Sequence, residues 1–160
     1  MTNIDLPSRH GPRPRTHKAP PHTQLDAEPD KELIDQLASL CFSLSHVNEA
    51  PTRISVTGTR ALVADAAAPF DANRSMIGRE FAHIHPDGSM HLSLPANVAT
   101  AAVDAGWAEP HPMAAHMAPG MVMLYTPRST DELDTIWGLV RASHSFVMTA
   151  ASPPIVGRAR

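Results

Sequence analysis

Cysteine, lysine and long apolar runs are all scarce in this chain of 160 residues. Cys41 is the only cysteine, which excludes a disulfide within the chain. Its flanks, Ala-Ser-Leu-Cys-Phe-Ser-Leu, predict a buried thiol on a helix, since nothing beside it supplies a base or a positive charge. A reducing, cytoplasmic setting is the expectation. Only Lys18 and Lys31 are lysines, the arginines are scattered, and the formal charge is -3 with a pI near 6.3. That balance lacks the basic stripe of a nucleic-acid-binding surface. No window approaches the roughly 18 consecutive apolar residues of a membrane span, and the N-terminus has no apolar signal-peptide core. The expectation is a chain with neither nucleic acid nor membrane as partner.

Proline, by contrast, is concentrated at the start. Residues 1–29 hold Pro7, Pro12, Pro14, Pro20, Pro21 and Pro29, with almost no periodic apolar pattern. Such a segment has too little apolar surface to offset the entropy of ordering, so a disordered tail is expected, with His10, His17 and His22 inside it. A domain follows over 30–150, and a flexible C-terminus over 151–160. From Asp30, a candidate N-cap, Leu33, Ile34, Leu37, Leu40, Cys41 and Leu44 recur at helical spacing and predict a helix to about residue 46. Arg53 to Val56 and Ala61 to Ala64 read as a short hairpin around Gly58. A third strand is expected from Met76 to His85. Pro95, Val98, Ala101, Ala102 and Ala105, closed by Gly106, mark a second helix. Met121 to Thr126 is an apolar strand, and Ser129 with Glu132 forms a capping box before a final helix towards Phe146. This order predicts an α+β fold, an antiparallel sheet of about five strands with helices on one face.

The most informative stretch is Arg79 to Leu94, REFAHIHPDGSMHLSL, which carries His83, His85 and His91 around a Pro-Asp-Gly turn. A two-residue turn at Asp87-Gly88 would put Pro86 where a cross-strand N–H is needed, and proline has none. A three-residue loop with Gly88 left-handed instead sets His85 opposite Ser89 and His83 opposite His91. All three imidazoles then share one face with Arg79, Phe81 and Ser93. Ala82, Ile84, Met90, Leu92 and Leu94 form the apolar face, and Glu80 alternates away from the histidines. Histidine is both the side chain that moves protons near neutral pH and the commonest metal ligand. A divalent metal on His83, His85 and His91, with His111 as a further ligand, is therefore an open alternative, as is a noncatalytic small-molecule pocket. Downstream, Trp107 reads as a core cap or as one wall of an aromatic-ligand pocket. His111 lies in a proline-rich loop, and Tyr125, Pro127 and Arg128 close the last strand, with Arg128 placed to receive an anionic oxygen or a helix carboxylate.

The ordered set R-E-x-A-H-x-H from Arg79 to His85, H-L-x-L from His91 to Leu94, G-W at Gly106 and Trp107, H-P at His111 and Pro112, and Y-x-P-R from Tyr125 to Arg128 resembles the fungal luciferase family. The likeness covers residues 74–148. The chain departs from the family's usual pattern between the tryptophan and H-P, where Ala108, Glu109 and Pro110 place a negative charge. The resemblance implies an oxygenase acting on a planar enolic small molecule, a 3-hydroxy-α-pyrone of the hispidin type. O2 is the co-substrate, and no flavin, nucleotide or other organic cofactor is expected. In such a scheme His83, His85 or His91 removes the enolic proton, and Arg79 or Arg128 holds the enolate or peroxide oxygens. Phe81, Trp107 and Tyr125 stack on the ligand beside His111.

Overall fold

The computed structural model describes residues 4–26 and 28–150; the expected flexible C-terminus lies outside the described residues. The elements run α1 (Lys31–Phe42), β1 (Val47–Pro51), β2 (Arg60–Ala64), β3 (Glu80–Ile84), β4 (Met90–Ser93), α2 (Ala96–Asp104), β5 (Ala108–Pro110), β6 (Met121–Leu124) and α3 (Thr130–Val147). Helix α1 starts where the sequence places it: the Asp30 carboxylate accepts from the Glu32 and Leu33 N–H groups, which otherwise lack partners. Ser129 caps α3 through the Glu132 N–H. The Glu132 carboxylate reaches back to the Arg128 N–H, one residue earlier than a capping box requires.

The strands form one antiparallel sheet in the order β1-β2-β3-β4-β6-β5, one strand more than expected. The extra strand, β5, lies in the stretch after Gly106-Trp107. The first hairpin also differs from expectation. Its outer strand is Val47–Pro51, and residues 53–56 are not a strand. The reason is a competing acceptor: the Glu80 carboxylate takes the Arg53 N–H and the Thr52 hydroxyl, so the chain turns out of the sheet there. Strand β3 is likewise shorter than expected, with Ile77 joined to Glu80 only by an isolated bridge.

Register divides the sheet cleanly into two faces. Leu62, Ala82, Leu92 and Val122 stand in one row, and Ile84, Met90, Leu124 and Ala108 in the next. Both rows join Leu37, Cys41, Val98, Ala102, Ile136, Leu139 and Val140 from the three helices in a single buried core. Burial pushes the Cys41 thiol up to about 12, which makes it a packing group. The opposite face carries the row Ala61, His83, His91, Met123 and Glu109, read straight across five strands.

That second face is covered, and the cover corrects the expectation of a disordered tail. The indole N–H of Trp107 donates to the Pro7 carbonyl at 2.6 Å, and the Arg13 guanidinium to the carbonyls of Val103 and Ala108. Thr16 and Gln24 bridge to each other, and Gln24 binds both the Thr126 N–H and the Asp87 carboxylate. Polar anchors to distant backbone hold this segment in place of the apolar periodicity it lacks. None of the helices among the described residues is long and apolar enough to cross a membrane.

Candidate functional site: a buried histidine network

The turn between β3 and β4 has the predicted form. His85 N–H donates to Ser89 O, the Gly88 N–H to His85 O, and Gly88 has φ +86°. A side chain at Gly88 would also press on Ile34, whose Cγ1 lies 2.8 Å from the Cβ position. His83 pairs with His91 across the ribbon, as the three-residue loop requires.

Strand parity breaks at one point. Val63 pairs with Glu80 and Leu62 with Ala82, so Phe81 is an extra residue, a β-bulge. The bulge reverses the expected faces of Glu80 and Phe81. Phe81 lies fully buried in the core, its ring 6.5 Å from Phe70 and 6.3 Å from His144. Glu80 turns to the histidines, its Oε1 3.1 Å from His83 Nδ1. Nothing in local alternation announces this shift.

Four histidines are buried together: His22, His83, His85 and His91. His83 Nε2 lies 3.1 Å from His85 Nε2 and 3.0 Å from His91 Nδ1. The far side of His91, Nε2, is 2.9 Å from His22 Nδ1, and His22 Nε2 is 2.9 Å from Glu109 Oε2. Glu109 also accepts from the hydroxyls of Thr16 and Tyr125. His111 is half-buried with its ring 4.6 Å from that of His91, and its Nδ1 accepts the Met113 N–H. The network opens on a cavity of about 390 Å³ lined by His22, His83, His91 and His111 and by Ile54, Val56, Met76 and Met117. This volume lies in the range of small-molecule sites.

Electrostatics lower the proton affinity of His85, His91 and His111 and keep the margins anionic. Burial, reinforced by the neighbouring imidazoles, pushes His85 down to about 3 and depresses His91 as well. His111 shifts the same way, through burial and the proximity of His22 and His83. Burial acts to raise Glu80, but hydrogen bonds from His83, the Arg53 N–H and Thr52 outweigh it and hold the carboxyl below its ordinary value. Glu109 has the same balance, with His22, Thr16 and Tyr125 as donors. Tyr125 is raised, by burial and then by the adjacent Glu109 charge.

Of the residues singled out from sequence, His83, His85, His91 and His111 come together. Tyr125 reaches the network's margin through Glu109, with the Arg9 guanidinium 5.3 Å from its ring centroid. The others stand elsewhere. Arg79 donates to the carbonyls of Ala64, Asp65 and Ala68 and lies over Phe70, so its charge is spent on the backbone around β2. Phe81 and Trp107 are core residues. Arg128 is bound to Glu132 and to the His10 carbonyl. His22, Glu80 and Glu109 complete the site without having been singled out for it. Glu109 had left a trace as the negative charge before H-P, whereas His22 sits in a stretch whose composition hid it.

Comparisons with known proteins fall on the same stretch of the chain. Residues 78–143 match the family model described as Luciferase domain, a span containing His83, His85, His91, Glu109 and His111. A luciferase of Armillaria gallica is 27% identical over 163 residues, covering 89% of this chain and 61% of its own length. A luciferase of Armillaria mellea gives the same figures. One from Neonothopanus nambi is 32% identical over 88 residues, 51% of this chain and 33% of its own. The chain thus spans about three fifths of the Armillaria relatives it matches. No solved structure gives a significant match. The buried histidine ribbon lies inside the matched span, and over that span the chain is similar to the luciferase-domain family and to fungal luciferases.

Proposed function

We propose that this chain is a luciferase-like oxygenase that consumes a planar enolic small molecule, of the 3-hydroxy-α-pyrone class, with O2. The observation that carries the reading is the histidine-lined cavity, whose His83, His91 and His111 lie within the span that matches the luciferase-domain model. An enol passes an electron to O2 reluctantly, and its enolate does so far more readily. The first task of the site is therefore to take the enolic proton. The ribbon presents unprotonated ring nitrogens for that step, and the His111 N–H, with Nδ1 already accepting from Met113, is a donor for a substrate oxygen. Ile54, Val56, Met76 and Met117 give the cavity apolar walls that exclude water from a reactive peroxide. The chemistry draws on no flavin or nucleotide.

The test is incubation of the purified protein with 3-hydroxyhispidin in air and under argon, following light and substrate together. Oxygen-dependent consumption, with or without light, is expected. Tight binding of the pyrone without consumption in air would overturn catalysis and leave a small-molecule-binding domain.

A further inference from the structure

The proton positions in the histidine network follow from its partners. Ser89 donates its one hydroxyl proton to Asp87 Oδ1 at 2.6 Å, so it can only accept from His85 Nδ1, which therefore carries a hydrogen. The Glu80 carboxylate accepts from His83 Nδ1, which carries one too. The Glu109 carboxylate accepts from His22 Nε2, so a neutral His22 turns a lone pair on Nδ1 to His91, and His91 Nε2 carries the hydrogen between them. In neutral imidazoles each of these assignments strips the other nitrogen. His83 Nε2, His85 Nε2 and His91 Nδ1 are then three lone pairs aimed at one another, two of the pairs at 3.0 and 3.1 Å and all three atoms within 4.8 Å. Lone pairs buried at that separation repel unless a cation lies among them.

We propose that His83, His85 and His91 form a site for a late first-row divalent metal ion, with its open positions facing the cavity. Each ligand has its outer nitrogen fixed by a partner: Glu80 for His83, Ser89 and Asp87 for His85, and the His22–Glu109 relay for His91. That is the second shell that orients imidazole ligands and fixes their tautomers. The His83–His85 and His83–His91 separations, 3.1 and 3.0 Å, agree with metal–nitrogen bonds of about 2.0–2.1 Å, which place two ligands about 2.9 Å apart at a right angle and about 3.3 Å apart in a tetrahedron. Three imidazoles suit zinc, iron, copper or nickel better than magnesium or calcium.

The second histidine group, His22, His91 and His111, fails the same proton count. His111 Nδ1 already accepts the Met113 N–H, so its other nitrogen is a donor, and His91 Nε2 is committed to His22. The proposal deepens the oxygenase reading at one point. Ligated imidazoles have no free lone pair, so in the loaded protein the ion takes over from the histidine base. It would acidify an enol bound at its open position, the proton leaving to solvent, and would hold the enolate in a cavity that, among its described lining residues, has no Arg or Lys.

The rival occupant is a proton on His83 Nε2 shared between His85 and His91. Whole protein, stripped with a chelator and titrated with Co²⁺, separates the two. Uptake of one ion per chain with visible d–d bands, displaced by Zn²⁺, is expected. His85→Ala should abolish the bands and Glu80→Gln weaken affinity roughly 10- to 100-fold, whereas His111→Ala should keep the one-to-one uptake. A rise in melting temperature of the wild type with Zn²⁺ reads the same site should the variants fold poorly. Folded wild-type protein that takes up no Co²⁺, with imidazole nitrogen resonances showing a shared proton at His83, overturns the proposal. So does uptake lost in His111→Ala and kept in His85→Ala. Metal uptake is measured without any pyrone, and pyrone consumption is followed in both stripped and metal-loaded protein. Uptake with no consumption in either form overturns the oxygenase reading alone, and consumption by stripped protein that takes up no metal overturns the metal site alone.

Discussion

The β3–β4 ribbon and the N-terminal segment meet at the same histidines but are held there by different forces. The ribbon is placed by local signals: a Pro-Asp-Gly turn, alternation, and an apolar face that the helices bury. The segment is placed by single polar contacts to residues roughly 70 to 120 positions away, such as His22 with His91 and Arg128 with the His10 carbonyl. One region is scaffold and the other is cover. Apolar burial is summed over many atoms and tolerates no vacancy, whereas a polar anchor is one bond whose net worth is about 1 kcal/mol. The site is thus built on a rigid wall and closed by a strap whose anchors are individually weak.

Leu92→Ala should show the largest effect. Leu92 is fully buried in the centre of the ribbon's apolar face, and truncation should remove about 2–5 kcal/mol from the unfolding free energy in urea. His22→Ala, on the cover, removes no core volume but leaves the His91 N–H without its acceptor and takes from Glu109 Oε2 one of its two donors, Thr16 remaining, at a cost of about 1–3 kcal/mol. Equal losses from the two variants would break the division and make the segment part of the core.

Acid should separate the regions next. An unfolded histidine titrates near 6.5, whereas His85 in the fold does so only at about 3, and His91 is depressed too. Between those values the unfolded chain holds more protons, so stability is complete above about pH 6.5 and falls as the pH drops. For His85 alone the slope is about 1.4 kcal/mol per pH unit. Urea midpoints of chelator-treated protein at pH 7.5, 6 and 5 measure it, and a flat profile would mean that the histidines are solvated rather than sealed under the segment.

The contrast also explains how far sequence reasoning reached. The turn, the His83–His91 register, the cap at Asp30 and the helix starts are local, and each was legible, whereas α1 ends at Phe42, about four residues before its expected end. Strand β1 was misplaced because Ile54 and Val56 have strand propensity but line the cavity, their neighbour Arg53 being captured by Glu80. Phe81 and Glu80 were assigned to each other's faces because a bulge depends on the partner strand, here at Leu62 and Val63, and leaves no mark on its own sequence. His22 was hidden for a stronger reason: composition measures whether a segment can bury apolar surface, and this one is held by hydrogen bonds. The anionic roles expected of Arg79 and Arg128 were lost because backbone carbonyls and Glu132 claim those guanidinium groups.

Arg128→Ala is the mildest test. Its side chain is half exposed, its ion pair with Glu132 is an i,i+4 surface contact, and its remaining bond, to the His10 carbonyl, is one anchor of the cover. Solvent screens the pair from the half-exposed Arg128 side, although Glu132 is mostly buried, so its loss should cost no more than about 1 kcal/mol and the urea midpoint should barely move. The capping role of Glu132 survives, because its carboxylate still accepts the backbone N–H at position 128. The informative readout is therefore the KM for a pyrone. Arg128 contacts the His10 end of the cover and does not line the histidine cavity, so KM should stay unchanged. A KM raised tenfold with stability intact would show that substrate reaches beyond the cavity to the last strand's end, and the cover would then be part of the binding surface.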